Sequence, residues 1–141
     1  MRFLLYNTSI MDKFVLLELT KQKKNINSFS KSVNDTLEFI KQNYLSSILL
    51  EDIANAVKYN KYYLCRVFKK ETGFSIQEFV SILRVEQAKE LLADSDLPLT
   101  EIAYASGLAS QSYFCYLFKK IEGLTPYHYR MKYGKKQTKK K

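Results

Sequence analysis

Cysteine and histidine, which act as nucleophiles or bind metal ions in many proteins, are few and scattered in this sequence. It contains two cysteines, Cys65 and Cys115, and one histidine, His128. The cysteines are not closely spaced, and a lone imidazole has no second one with which to share a zinc ion or relay a proton. The residue types therefore predict no catalytic centre, no metal site and no cofactor. Two cysteines are also too few for a secreted disulfide scaffold, so we expect a reduced, cytoplasmic compartment.

The chemistry that does recur is that of hydrogen-bond donors and cations. Residues 65–73, Cys-Arg-Val-Phe-Lys-Lys-Glu-Thr-Gly, match residues 115–123, Cys-Tyr-Leu-Phe-Lys-Lys-Ile-Glu-Gly, at an offset of 50. Residues 52–54 match residues 101–103 at an offset of 49. A short helix, a turn of adjustable length and a second helix closed by glycine explain both offsets. Each copy, about 50–72 and about 99–122, is therefore a candidate helix-turn-helix.

The elements around the repeat are helical as well. Apolar residues at helical spacing predict an amphipathic helix near residues 33–44. Ser75 and Glu78 form a capping-box pattern at the start of a long helix that ends near Ala93. Thr125 followed by Pro126 predicts the start of a final short helix. Since no segment alternates polar and apolar residues as a strand does, the predicted fold class is all-α.

A set of residues in these elements is assigned to structure. It contains the apolar residues of the inward helix faces, the glycines that close helices or turns, one proline and one arginine. The set is Ile53, Ala54, Leu64, Phe68, Gly73, Arg84, Ala88, Leu91, Ile102, Ala103, Gly107, Phe114, Phe118, Gly123 and Pro126.

The net charge of +9 is concentrated at the two ends of the chain. Residues 1–31 hold six basic and two acidic side chains, residues 131–141 hold six and none, and residues 32–130 hold eleven and twelve. Within this nearly neutral middle the cations cluster at Lys58, Lys61, Arg66, Lys69 and Lys70, and again at Lys119 and Lys120. The clusters favour a polyanionic partner. The alternative is that they are solvated helix faces without a ligand.

Residues from about 33 to 130 resemble the DNA-binding domain of the arabinose-regulator (AraC/XylS-type) transcription factors. The resemblance lies in Arg84-Val85-Glu86-Gln87-Ala88-Lys89-Glu90-Leu91-Leu92, Glu101-Ile102-Ala103-Tyr104-Ala105-Ser106-Gly107, Gln111-Ser112-Tyr113-Phe114, Phe118-Lys119-Lys120 and Gly123-Leu124-Thr125-Pro126-Tyr127-His128-Tyr129-Arg130. It implies seven helices, of which the long one joins two helix-turn-helix subdomains. It also implies a bacterial transcription regulator, an activator, with double-stranded promoter DNA as its partner and RNA polymerase as a further candidate partner.

The length of the joining helix agrees with that function. A helix of about 18 residues is roughly 27 Å long. This length suits two recognition helices that enter successive major-groove segments, about 34 Å apart on one face of the duplex. We therefore expect one chain to contact two stretches of DNA sequence.

The outward faces of the two recognition helices supply the predicted DNA contacts. The expected base-facing residues are Lys61, Tyr62, Cys65 and Arg66 in the first unit and Gln111, Ser112, Cys115 and Tyr116 in the second. Arginine can donate two hydrogen bonds to guanine, and glutamine can pair with adenine through two bonds. The expected phosphate contacts, which position the protein without selecting sequence, are Tyr63, Lys69, Lys70, Tyr113, Lys119 and Lys120. For Tyr63 and Tyr113 the alternative is packing inside the protein. Arg84 is expected to hold acidic groups internally, the alternative being a DNA contact.

Three residues depart from the family's pattern. Lys58 occupies the place where the first turn usually has glycine, so we expect strain there. Tyr116 replaces the basic residue that is common at this point of the second recognition helix, whereas Arg66 keeps it in the first. Leu49, near the start of a helix, cannot cap that helix with a side-chain oxygen.

The two ends of the chain flank a DNA-binding domain placed at residues 32–131. The apolar pattern of residues 1–31 predicts a helical segment. One interpretation is that this segment is the remnant of a sensor or dimerisation domain and forms a homodimer. The other is that it packs against the DNA-binding domain. Its apolar runs are far shorter than the ~20 residues of a membrane span, so no membrane partner is expected. Residues 132–141 are expected to be disordered and to add nonspecific phosphate affinity. His128 is expected to pack within the final helix.

Two other functions compete with a regulator. Some DNA-repair methyltransferases carry this type of domain, but their chemistry needs further cysteines around zinc, so an enzyme is not expected. The second is a protein-interaction adaptor that keeps the fold but has lost specific DNA binding, with the leucine-rich start of the chain as its binding segment.

Overall fold

Within residues 29–135, the part of the chain that this computed structural model describes, the fold consists of seven α-helices and no β-strand. They are α1 (Lys31–Asn43), α2 (Leu50–Val57), α3 (Lys61–Thr72), α4 (Ile76–Asp94), α5 (Leu99–Ala105), α6 (Gln111–Glu122) and α7 (Pro126–Tyr133). The predicted all-α fold of seven helices is therefore confirmed. Residues 1–28 and 136–141 lie outside the described part, and with them most of the predicted N-terminal segment and of the lysine-rich tail. None of the seven helices is long and apolar enough to cross a membrane.

The described residues form two compact units that divide between Ser81 and Ile82. The N-terminal unit (residues 29–81) holds α1, α2, α3 and the start of α4. The C-terminal unit (residues 82–135) holds the rest of α4 together with α5, α6 and α7. Because α4 is one continuous helix of 19 residues that belongs to both units, the predicted pair of helix-turn-helix subdomains joined by a long helix is confirmed.

The N-terminal unit is closed by contacts between its first and third helices. The hydroxyl of Ser30 caps α1 by accepting from the backbone N–H of Val33 at 3.4 Å. The backbone N–H of Ser30 in turn donates to the carboxylate of Glu71, near the end of α3, at 2.8 Å. Phe68 of α3 meets Phe79 edge-on, with the ring centroids 5.8 Å apart, and both rings are fully buried. The hydrogen bonds and the apolar core together fix α3 within this unit.

The helix-turn-helix of this unit begins at a weak cap and contains a strained turn. No side chain caps α2 at Leu49, as expected; the carboxylate of Asp52 instead accepts from the N–H of Leu49 at 2.9 Å. Lys58 ends α2 in the left-handed region, with φ 67° and ψ 42°, and is the one non-glycine residue at positive φ between residues 29 and 135. The predicted strain at Lys58 is therefore present, because its β-carbon crowds the backbone in this conformation.

Local side chains then set the start of α3 and α4. Asn60 caps α3, its side-chain oxygen accepting from the N–H groups of Tyr62 at 2.8 Å and Tyr63 at 3.1 Å. Ser75 and Glu78 form the predicted capping box, each side chain accepting from the other's backbone N–H at 3.0 Å. These caps satisfy amide groups that a helix start otherwise leaves unpaired.

The C-terminal unit repeats the helix-turn-helix with a different turn. Gly107, at φ 86°, takes the left-handed position that Lys58 takes in the first unit. Ser110 then caps α6 by accepting from the N–H of Tyr113 at 3.1 Å. Phe114 and Phe118 are fully buried and in edge contact, with the ring centroids 5.7 Å apart.

A buried ion cluster joins α4 to the end of α6 in this unit. The ammonium group of Lys89 lies 2.7 Å from the carboxylate of Glu86 and 3.2 Å from that of Glu122. All three side chains are largely buried, the most exposed being Lys89 at 12%. Burial by itself lowers the pKa of Lys89, but the hydrogen bonds and charges of the two carboxylates outweigh it and raise that pKa above its ordinary value.

The last helix closes the end of α4. The guanidinium of Arg130 donates to the backbone carbonyls of Leu92 at 3.1 Å and Ser95 at 3.0 Å, where the helix leaves carbonyl groups unpaired. The backbone N–H of Lys135 donates to the carbonyl of Ala93 at 3.0 Å, and its ammonium group lies 3.2 Å from Asp94. Residues 132–135, assigned from sequence to a disordered tail, therefore belong to the C-terminal unit.

The residues assigned to structure mostly occupy the expected places. Ten of them are buried: Ile53, Ala54, Leu64, Phe68, Ala88, Ile102, Ala103, Phe114, Phe118 and Pro126. Gly73, Gly107 and Gly123 have positive φ. Leu91 is only half-buried, because it neighbours the fully buried Leu92 on the helix and turns away from the core.

Two predictions concern the final helix. The predicted start at Thr125 and Pro126 is confirmed, whereas the predicted packing of His128 is wrong. Thr125 accepts from the N–H of His128 at 3.1 Å, and Pro126 is the first residue of α7, as expected. The imidazole of His128, however, is exposed, and its Nδ1 lies 2.9 Å from the hydroxyl of Thr125. His128 therefore contributes to the cap of α7 and is not packed in the core.

Candidate nucleic-acid interface

The outward face of α3 carries exposed aromatic and basic side chains. Leu64 and Phe68 point into the core, whereas Tyr62, Cys65 and Arg66 are exposed. Tyr62 is the most exposed large hydrophobic side chain of the described residues, at 71%. This face therefore presents a cation, a thiol and a phenol to a ligand, as the helical pattern predicts.

Tyr63 lies at the edge of this face and is partly held by its neighbours. Its ring stacks on Tyr59, with the centroids 5.8 Å apart and the planes 29° from parallel. The guanidinium carbon of Arg66 lies 5.8 Å from the ring centroid of Tyr63. Tyr63 is nonetheless 36% exposed. Its ring therefore packs on Tyr59 and supports Arg66, while part of it stays in solvent.

The outward face of α6 has the same layout with fewer charges. Gln111, Ser112 and Tyr116 are exposed, opposite the buried Phe114 and Phe118. Tyr116 is 59% exposed, and the ammonium group of Lys120 lies 5.7 Å from its ring centroid. The predicted division into inward and outward residues therefore holds for this helix as well.

The two cysteines of these faces differ in exposure. Both are free thiols; Cys65 is exposed and Cys115 is half-buried. Burial raises the pKa of the Cys115 thiol above its ordinary value, because it disfavours the thiolate. Cys115 is therefore less available to a ligand than the helical pattern predicts. Within residues 29–135 no group of histidine, cysteine or acidic side chains is arranged to hold a metal ion.

The cations of the two faces are mostly unpaired. Lys69 lies 3.8 Å from Glu78, a long contact between two exposed groups. No other residue between 29 and 135 forms an ion pair with Arg66, Lys70, Lys119 or Lys120, and all four are exposed. Exposed cations without carboxylate partners keep their charge available to an anionic ligand.

The first residue of each second helix is, by contrast, bonded at the surface to a side chain of the helix before it. Lys61, the first residue of α3, lies 2.8 Å from the carboxylate of Glu51, the second residue of α2. Gln111, the first residue of α6, shares a hydrogen bond with the hydroxyl of Thr100, the second residue of α5. Sequence reasoning missed both partners. The repeat offsets contained the signal, since they align Glu51 with Thr100 and Lys61 with Gln111.

That Arg84 holds acidic groups inside the protein stays a prediction. Lys89 pairs with the buried carboxylates of Glu86 and Glu122. Arg84 is half-buried on α4, and this burial lowers its pKa below the ordinary value. Its partial burial agrees with a structural role within the C-terminal unit.

Two short helix pairs, each with a buried inner face and a donor-bearing outer face, place this chain in the class of helix-turn-helix proteins. A family model described as a helix-turn-helix domain matches residues 53–132. The solved C-terminal domain of AraT, a response regulator from Geobacillus stearothermophilus, is 33% identical, with a TM-score of 0.72 over 75% of this chain and 88% of that one. The chain therefore belongs to the AraC-type helix-turn-helix family of transcription regulators.

Curated relatives agree with this membership and differ in length. The transposon Tn10 TetD protein of Escherichia coli is 36% identical over 98 residues, which are 70% of this chain and 71% of that protein. A bifunctional transcriptional activator/DNA repair enzyme of Bacillus subtilis, AdaA, is 34% identical over 101 residues, which are 72% of this chain and 48% of that protein. Against three further regulators, from Bacillus subtilis and Escherichia coli, the chain spans between 13% and 36% of the relative's length.

Proposed function

We propose that this chain binds double-stranded promoter DNA in a sequence-specific manner and activates transcription, with α3 and α6 as recognition helices in successive major-groove segments. The observation that carries the proposal is that the same positions of both helices are exposed and carry donors. The second and sixth residues are Tyr62 and Arg66 in α3, and Ser112 and Tyr116 in α6. Side chains at such positions reach base edges when a helix lies in the major groove.

The base contacts are proposed to differ between the two helices. Arg66 offers two parallel donors, which match the acceptor pair of guanine. Tyr62 and Tyr116 offer a ring for the thymine methyl group together with one hydroxyl. Ser112 and the two cysteines supply short side chains that allow the helix backbone to approach the bases.

The phosphate contacts are proposed for the last turn of each recognition helix and its aromatic flank. Lys69 and Lys70 in α3, and Lys119 and Lys120 in α6, are exposed. Tyr63 and Tyr113 are partly exposed, at 36% and 44%, and each has a hydroxyl that can donate to a phosphate oxygen. These contacts raise affinity for any duplex and fix the register in which the base-facing residues read sequence.

The remaining parts of the proposal follow from family membership. One relative is described as a transcriptional activator, which supports activation and RNA polymerase as a partner. The DNA-repair activity in that relative's name is not part of the proposed function, because within residues 29–135 no group of cysteine, histidine or acidic side chains is arranged to hold zinc. The cytoplasm is the proposed compartment, and a homodimer through residues 1–31 is proposed as the assembly.

Selection from a randomised duplex pool tests the proposal. The full chain should enrich a motif with two separated clusters of fixed base pairs, one for each recognition helix. Arg66→Ala should relax one or two base pairs of that motif, whereas Lys132→Ala, which removes a cation of α7, should leave the motif unchanged. Binding without any enriched sequence would support the adaptor function instead and overturn the proposed one.

A further inference from the structure

Each recognition helix is bonded through its first side chain to the helix before it. In the N-terminal unit the bond is ionic, with Lys61 Nζ 2.8 Å from Glu51 Oε2. In the C-terminal unit it is neutral, between the side-chain oxygens of Gln111 and Thr100. Both bonds join the first residue of the second helix to the second residue of the first helix. The same connection is thus made twice with different chemistry.

These bonds occupy the groups that would read DNA. Glutamine recognises adenine by using its amide oxygen and its amide nitrogen together. The amide oxygen of Gln111 accepts from the Thr100 hydroxyl, which engages one of its two lone pairs and holds the side chain in the rotamer that reaches α5. The charge of Lys61 is likewise balanced by Glu51, and only 33% of the Lys61 side chain is exposed. Lys61 and Gln111 are each bonded to the preceding helix, and Arg66 and Ser112 are not.

We propose that the two bonds are latches that fix the angle of each helix-turn-helix and withhold Lys61 and Gln111 from DNA. Base selection then falls to the second, fifth and sixth residues of each recognition helix. This inference rests on the proposed function, because it assigns roles within the same DNA-binding surface. Glu51 and Thr100 become specificity-determining residues, since they decide which side chains are able to read the bases.

The two latches have different expected signatures when they are opened. An opened ionic latch adds one free cation at the start of α3, and a further phosphate contact steepens the dependence of log affinity on log salt by about 0.9. An opened neutral latch adds no charge, so the salt dependence stays the same. It releases the Gln111 side chain from the rotamer that Thr100 fixes, which adds an adenine preference at one position.

The ionic latch is tested by salt titration of binding to a random-sequence duplex of about 30 base pairs. Glu51→Gln should steepen the salt dependence and bind more tightly than wild type by a margin that shrinks about threefold between about 50 and 200 mM salt. Asp52→Asn is the matched control, since it removes the same charge from the next residue of α2 and frees no lysine. Equal effects of the two variants would show that charge alone acts and would overturn the ionic latch.

The same experiment includes the lysine itself. Lys61→Met should leave the sequence motif selected by the chain unchanged, because a latched lysine reads no base. In the Glu51→Gln background the same substitution should abolish the steeper salt dependence. Loss of a preferred base pair in the single Lys61→Met variant would contradict the latch, even if Glu51→Gln failed to fold.

The neutral latch is tested by selection from a randomised pool. Thr100→Val removes the hydroxyl and should add an adenine preference in the part of the motif that belongs to α6, without altering the salt dependence. Thr100→Ser keeps a hydroxyl at the same place and should select the wild-type motif. An unchanged motif for Thr100→Val overturns this latch. The absence of binding by wild type to any duplex would instead refute the proposed function, so the two failures are distinguishable.

Discussion

At the scale of single residues, Lys58 carries a backbone cost that its counterpart avoids. The turn of the second helix-turn-helix uses Gly107 at φ 86°, whereas the first uses Lys58 at φ 67°. A residue with a β-carbon loses about 1–2 kcal/mol in this conformation. A glycine at this position avoids that strain, but its greater conformational freedom in the unfolded chain offsets part of the gain in stability.

Lys58→Gly should therefore stabilise the protein by up to about 1 kcal/mol. The free energy of unfolding measured by urea denaturation checks this. Lys58→Ala is the matched control, because it removes the same charged side chain but keeps the β-carbon, and it should not stabilise. If the alanine variant gains as much as the glycine variant, the gain comes from the lost charge and not from the backbone.

The residues proposed to face the bases are also unequal at this scale. Arg66 has the paired donors that guanine needs, and its guanidinium is supported by the ring of Tyr63. Tyr116 occupies the matching place of α6 with one hydroxyl and no charge. We expect Arg66→Ala to weaken binding to the preferred site by about 1–3 kcal/mol and to relax one or two base pairs.

Tyr116→Ala should cost less binding free energy and mainly weaken a preference for thymine. Pool selection with each variant measures the sequence information that remains. The second helix should still be needed for affinity, since Lys119 and Lys120 are exposed and without ion-pair partners among residues 29–135. The proposed asymmetry is wrong if Tyr116→Ala erases more sequence information than Arg66→Ala.

At the scale of helices, the sequence predicted those features that depend on residues close together in the chain, such as helix starts and helix faces. The capping box of Ser75 and Glu78 and the Thr125-Pro126 start each involve residues within three positions of each other. Their hydrogen bonds form wherever the local backbone turns, so a pattern in the sequence suffices. The inward and outward faces followed for the same reason, from helical spacing.

Contacts between helices were missed because they depend on packing. Arg130 caps α4 from 38 positions away, and Lys89 reaches Glu122 from another helix. Nothing in the spacing of these residues distinguishes them from ordinary surface charges. The latch partners Glu51 and Thr100 are an intermediate case, since the repeat aligns them but does not show that they bond.

The stability of the C-terminal unit is expected to depend strongly on its buried ion cluster. Lys89 lies between Glu86 and Glu122, and removing one partner of a buried ion pair typically costs about 3–5 kcal/mol. Lys89→Met should lower the free energy of unfolding by an amount of this order. The control is Lys31→Met, which breaks the exposed pair with Asp35 and should have little effect.

The same cluster predicts loss of stability in alkaline solution. The pKa of Lys89 is raised above 10.5 in the fold, so its contribution is fully present below that pH and is lost as pH rises through the folded value. Burial raises the pKa of Tyr129 above 10.0, which favours its neutral form and gives a loss in the same direction. Wild type should therefore lose stability as pH rises above about 10. Tyr129→Phe, which cannot ionise, should show a shallower loss, and an equal slope in both proteins would contradict this account.

At the scale of the whole chain, the repeat in the sequence predicted two helix-turn-helix units, and the family resemblance implied the long helix that joins them. The two copies of the repeat share inner faces, glycine stops and the last-turn lysines, and these similarities became matching helix-turn-helix elements. The differences between the two copies are a less direct guide to what each unit does. Lys58 against Gly107, Glu51 against Thr100 and Arg66 against Tyr116 make the N-terminal unit the more highly charged of the two, so the copies are expected to contribute unequally to one function.

The lysine-rich end of the chain provides the last test at this scale. The contacts of Lys135 with Ala93 and Asp94 place it in the C-terminal unit, so the deletion is best made after it, at residues 136–141. Those residues include four lysines, and each phosphate contact that is lost should flatten the salt dependence by about 0.9. Binding to the preferred duplex and to a random duplex should weaken by the same factor, because contacts with phosphates carry no sequence information. Serine in place of the four lysines, which keeps the chain length, should reproduce the deletion. A changed motif in pool selection with either variant would show instead that the lysines contact bases.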